Sequence, residues 1–105
     1  MATLCISALS PGATHRHDRL IEISRGLAEN GEKVDFVFYG SGLYCLVEGS
    51  KSAEALASSG ASIYAVADDV ENRGLAGRLM AQADLVGYDK IVDMIMVADR
   101  TITGI

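Results

Sequence analysis

The chain has 105 residues, half of them apolar, with a formal net charge of -5 and two cysteines. That is room for one domain over residues 1–105 and one core. The acidic balance and scattered basic residues exclude the electrostatic footprint of a DNA or RNA binder, and no apolar run is long enough to span a bilayer.

The opening residues Met1-Ala2-Thr3-Leu4-Cys5 lack the basic start and long apolar core of a signal peptide. The expected compartment is therefore the cytoplasm, where two cysteines do not form a structural disulfide. Cys5 and Cys45 lie forty residues apart, a spacing that matches no metal-binding pattern. Mean hydropathy is slightly positive, which is high for a small domain with much surface. A parallel sheet apolar on both faces accounts for part of this. The favoured explanation is apolar surface covered by other subunits, in a homo- or hetero-oligomer.

Thr3 to Leu9 is a β-rich apolar run and the first expected strand. Ser10-Pro11-Gly12-Ala13-Thr14 has turn chemistry. A helix is expected from about His17 to Asn30, with Leu20, Ile23 and Leu27 along one side, stopping at Asn30-Gly31. Val34 to Tyr39 is the second strand, broken by Gly40-Ser41-Gly42. A short helix over Leu43–Val47 and a second helical piece over Ser52–Ser58 follow. Ala61 to Ala67 is the third strand, and Asp68 to Arg73 is a helix that Gly74 ends. Ala76 to Ala83 reads as a helical turn or an exposed loop, and Leu85-Val86 as a short strand. Tyr88 to Ala98 is helical with Ile91, Met94, Ile95 and Ala98 on one face, and Thr101 to Ile105 is a last strand. Alternating strands and helices in one small domain imply an α/β, three-layer sandwich around a mainly parallel five-stranded sheet.

Two stretches carry a family resemblance. Ile63-Tyr64-Ala65-Val66-Ala67-Asp68-Asp69-Val70-Glu71-Asn72-Arg73-Gly74-Leu75, followed by Leu85-Val86-Gly87-Tyr88-Asp89-Lys90-Ile91-Val92-Asp93-Met94, resembles the C-terminal half of the DsrH/TusB branch of the DsrE/DsrF/DsrH-like (TusB/TusC/TusD-like) family. The Arg73-Gly74-Leu75 helix end and the tyrosine-led helix are the most specific parts. The first half fits the wider group, through a strand, a long helix, and a strand ending in the loop Phe38-Tyr39-Gly40-Ser41-Gly42-Leu43-Tyr44. The resemblance implies a cytosolic sulfur relay, of sulfur-oxidation or tRNA-thiolation type, whose members pass persulfide sulfur between cysteines. It implies oligomers with other DsrE/DsrF/DsrH-like or sulfur-carrier proteins, and no metal or organic cofactor.

The same resemblance locates the family's thiols. In the DsrE-like branch the cysteine ends the third strand, which here falls at about Val66. In DsrH it lies in the first helix, where Ser24 is the nearest match. Neither residue forms a persulfide, so Cys45 is the remaining candidate carrier. It follows a glycine loop early in a short helix, where backbone amides favour a thiolate. The competing reading is a small buried residue in Leu43-Tyr44-Cys45-Leu46-Val47. Cys5, inside the first strand, is the weaker candidate.

His15 and His17, which flank Arg16, are candidates for attracting an anionic persulfide or a partner's carboxylate, against the plainer reading of a solvated loop end. Two histidines without a third ligand make a poor metal site. Ser41 and Gly42 join them as candidates for substrate or anion binding. Asp68 and Asp69 read first as residues that stabilise a helix start, and second as a carboxylate pair. Met94 and Met96 read as core or interface fillers. Two rival functions stand beside the relay. One is a non-catalytic structural partner in such a complex; the other is a small flavodoxin-like module for an anionic ligand, with Ser10–Thr14 as its phosphate loop.

Overall fold

The computed structural model describes residues 2–8, 22, 26 and 29–103. Five strands form one sheet: β1 (Ala2–Ser7), β2 (Lys33–Phe38), β3 (Ser62–Val66), β4 (Ala83–Val86) and β5 (Arg100–Ile102). Their order is β4-β3-β2-β1-β5, and every pairing is parallel. The expected α/β sandwich with a parallel five-stranded sheet is the one observed. Between the strands lie a 3-10 helix (Gly40–Leu46) and α-helices over Lys51–Ala57, Ala67–Asn72 and Tyr88–Val97. Glu22, Gly26 and Glu29 are also helical, within the span expected for the first helix.

The strand order decides which helix covers which face. The chain steps from β2 to β3 to β4 in one direction, then returns across the sheet to β5. Parallel crossovers are right-handed. The two forward connections therefore lie on one face, and the Tyr88–Val97 helix lies on the other. Side chains alternate accordingly. Cys5, Val34, Phe36, Phe38, Ile63 and Ala65 pack with Leu43, Cys45, Leu46, Ala53, Leu56 and Val70 in one cluster. Leu4, Val37 and Val66 pack with Ile91 in a second, smaller one. In the first cluster Phe36 and Phe38 stack with ring centroids 5.7 Å apart.

Local chemistry fixes the joints. Ser50 caps its helix, with Oγ accepting from the Ala53 amide at 3.2 Å. At the other helix of that face, Gly74 takes φ +67°. Its amide donates to the Glu71 carbonyl at 3.1 Å, and the Leu75 amide donates to the Val70 carbonyl at 3.0 Å. This is a Schellman ending, and buried Leu75 and Val70 share the first cluster, as that motif favours. The segment expected as a helical turn or loop over Ala76–Ala83 is a set of turns. It is pinned by a Val47–Leu79 bridge and by the Met80 amide on the Leu46 carbonyl at 2.8 Å.

The structure differs from expectation at several places: β1 ends at Ser7 rather than Leu9, and β5 runs over Arg100–Ile102. The segment after β2 is a 3-10 helix, beginning at Gly40 rather than Leu43. On the Tyr88–Val97 helix, Ile91, Met94 and Ala98 pack on the sheet, but Ile95 is 43% exposed. The helix carries more apolar rows than the sheet beneath it covers.

Candidate functional site

In open α/β sheets ligands gather at the carboxyl ends of the strands. Here those ends are Ser7, Phe38, Val66 and Val86. The Tyr39 amide donates to the Ser7 carbonyl at 3.1 Å, so the chain leaves β2 across the end of β1. The 3-10 helix then presses against that end. A Cβ on Gly42 would lie 2.6 Å from the Ser7 carbonyl oxygen. Only glycine fits this approach without moving backbone.

Two of the loop amides are already used. The Gly42 amide donates to the Tyr39 carbonyl at 3.0 Å. The Gly40 amide donates to Asp69 Oδ2 at 2.9 Å. Asp69 thus reaches across from its own helix to the neighbouring loop. The Ala67–Asn72 helix has Val66 at its N-cap and no side-chain cap, so the two aspartates act there only through the helix dipole. Ser41 and Gly42, expected to help hold an anion, follow directly on Gly40 in this loop. His15 and His17, the other two residues of that expected set, lie outside the described residues, as do Ser24 and Ser10–Thr14.

Tyr88 joins Asp69 from the third side. It begins the helix after β4 and remains 55% exposed. The charge of Asp69 raises its phenol above the usual tyrosine range, with further upward contributions from burial, from Asp68 and from a hydrogen bond with Asp69. Beside this group, the Arg73 guanidinium lies over the Tyr44 ring, 5.6 Å from its centroid. On the second face, Ile6, Val37, Tyr39, Val66, Tyr88 and Ile91 line an almost wholly apolar cavity of about 180 Å³. Val66, where the resemblance located a related branch's thiol, is one of its walls.

Cys45 lies elsewhere. It is the penultimate residue of the 3-10 helix, points into the first cluster and has no exposed surface. Burial pushes its thiol up to about 11. The helix start that was expected to favour a thiolate lies at Gly40, five residues earlier, and desolvation alone acts on the sulfur. Cys5 is equally buried, and its thiol is also pushed up to about 11, mainly by burial. Arg100 partly opposes that rise and Asp35 adds to it. Among the described residues no group of three or more His, Cys, Asp or Glu side chains is placed to hold a metal ion.

Sequence reading missed the convergence of Gly40, Asp69 and Tyr88. The available signal was positional: each follows the carboxyl end of a strand, and β2, β3 and β4 are neighbours. It also missed the cavity, because Ile6, Val37 and Val66 look like ordinary strand residues.

Comparison with known proteins agrees with this architecture. The chain is 34% identical over 58 residues to Protein TusB of Yersinia enterocolitica, a match covering 55% of this chain and 61% of that protein. The aligned segment thus spans about three fifths of that relative's length. In structure it is similar to the YchN protein from E. coli, with a TM-score of 0.85, 11% identity and 99% of both chains covered. It is also similar to a protein of unknown function from Methanobacterium thermoautotrophicum, with a TM-score of 0.77, 20% identity, and 98% of this chain and 97% of that one covered. At those identities the likeness shows the fold. The family model described as DsrH like protein matches residues 10–101, and with most of its length inside that match the chain belongs to the DsrH-like family.

Proposed function

We propose that this chain is a subunit of a cytoplasmic sulfur-relay assembly and that it contributes partner binding rather than a sulfur-carrying thiol. Membership of the DsrH-like family and the TusB relatives support the relay setting. The burial of both cysteines, with thiols pushed up to about 11, is the observation that carries the division of labour. In a relay step a thiolate attacks the outer sulfur of a donor persulfide, the S–S bond breaks and the donor leaves as a thiolate. That step needs an accessible thiolate. The partners in this reading are other DsrE/DsrF/DsrH-like or sulfur-carrier proteins.

Mass spectrometry of the folded protein after incubation with a persulfide donor tests this. The expected result is no added sulfur on Cys45, while a DsrE-like partner still binds. Sulfur added at Cys45, and lost in Cys45→Ser, would make the chain a carrier and overturn the reading.

A further inference from the structure

Three neighbouring strands end side by side, and their last side chains on the second face leave a space between them. Ile6 of β1 and Val37 of β2 are register partners, and Val66 closes β3 one strand further on. With Ile91 of the Tyr88–Val97 helix they wall the apolar cavity of about 180 Å³. Val37 and Val66 are each 1% exposed, so the inner end of the cavity belongs to the core. Tyr39 and Tyr88 line it too and are exposed, which places them at its open side.

The residues at that opening are held elsewhere. Tyr88 is hydrogen-bonded with Asp69, and Asp69 is fixed in turn by the Gly40 amide at 2.9 Å. The Tyr39 amide is tied to the Ser7 carbonyl at 3.1 Å. Water is a poor occupant, because a buried water needs about two to four polar partners and these walls are almost wholly carbon. A charged group is a worse one, since it gives up hydration with no partner to replace it. Asp69 and Arg73 stand nearby with opposite signs, the first on the Gly40 amide and the second over the Tyr44 ring, and neither lines the cavity. The walls offer dispersion contacts, which an uncharged apolar molecule makes without losing hydrogen bonds. A void of roughly 150 Å³ with walls of this kind takes up benzene, so this volume fits one small ring or branched chain.

We propose that this cavity is a binding site for a small uncharged apolar molecule, the size of a singly substituted benzene, which enters between Tyr39 and Tyr88. The ligand rests on Ile6, Val37 and Val66 and packs against Ile91. Both cysteines lie in the other cluster, across the sheet. The site therefore stands apart from the relay reading, and either can fail while the other holds.

The probes are toluene, benzoate and benzylammonium, titrated into the isotope-labelled full chain and followed by methyl and amide chemical shifts and by calorimetry. Toluene is expected to saturate, with its largest shifts at Ile6, Val37, Val66 and Ile91 and a negative heat-capacity change. Benzoate and benzylammonium should bind at least about tenfold more weakly, because each must shed the hydration of its charge. Ile6→Phe, at a partly exposed position, and Val66→Phe both place a ring in the cavity. Each should weaken toluene binding at least about tenfold, with circular dichroism and urea midpoints reporting that the variant is folded. Shifts that do not saturate, shifts centred on the exposed Val92, Ile95 and Met96, or unchanged affinity in a folded variant would overturn the proposal. So would benzoate binding as tightly as toluene, which would make this an anion site, or benzylammonium doing so, which would make it a cation site. The titrations of the unaltered chain decide the matter alone if neither variant folds.

Discussion

The two faces of the sheet use the same kinds of residue to opposite ends. On one, the 3-10 helix, two short α-helices and the turns that follow close over Cys5, Phe36, Phe38 and Ile63, and Cys45 disappears among them. On the other, a single described helix rests on Leu4, Val37 and Val66 through Ile91, and leaves Val92, Ile95 and Met96 outside. The first face buries its reactive atoms and is built for stability. The second leaves apolar surface exposed. Apolar character alone does not distinguish buried from exposed positions; the ratio of apolar rows to covering elements does.

Truncation breaks or sharpens this contrast most directly. Phe38→Ala should destabilise by about 3–5 kcal/mol, as large aromatic truncations in packed cores do, whereas Met96→Ala should stay within about 0.5 kcal/mol. Urea titration of both variants checks the pair, and equal losses would end the distinction between the faces.

Raising pH probes the buried thiols. Each ionises near 9 when exposed and near 11 in the fold. Between those values the unfolded chain holds fewer protons than the folded one, so stability falls as pH rises. It is fully present below about 9 and lost towards about 11. The slope approaches about 1.4 kcal/mol per pH unit for each thiol. Denaturant midpoints across that range should decline, less so in Cys45→Ala after correction for the lost methyl-sized volume. Alkylation by iodoacetamide should be slow in the native protein and fast in denaturant.

Gly42→Ala presses a methyl against the Ser7 carbonyl, which is backbone and yields only if the chain shifts. About 1–3 kcal/mol of destabilisation is expected, as for other overpacked sites. Asp69→Asn weakens a charge-assisted bond to the Gly40 amide and should cost about 1 kcal/mol. Its more telling readout is Tyr88, whose phenol should titrate at lower pH once the neighbouring charge is gone. An unchanged Tyr88 titration would separate the two residues. A small effect also belongs to the amino end of the sheet, where Arg100 pairs with Glu32 at 2.9 Å in a partly exposed setting. Glu32→Gln should change stability by less than about 1 kcal/mol.

Much of this was legible in the residues. Val34 to Tyr39 and Ala61 to Ala67 predicted β2 and β3 to within a residue at each end. The Asn72-Arg73-Gly74-Leu75 string encodes the Schellman ending outright: a glycine for the left-handed turn, then a leucine to close on Val70. Less was legible at the site. Asp69 looked like a residue for its own helix start, and its bond to Gly40 exists only because β2 and β3 are neighbours. Ile95 shared helical spacing with Ile91, but a helix resting on a sheet covers only the rows turned towards it.

The sequence by itself determined the alternation of strands and helices, the parallel sheet this implies, and the stops at Gly31 and Gly74, because periodicity and turn chemistry act within a few residues. Only the tertiary structure decided that Cys45 faces inward, that Asp69 serves a neighbouring loop, and that one apolar row of the last helix has no cover. Those outcomes depend on which crossover delivers each element to which face, and no local pattern contains that information.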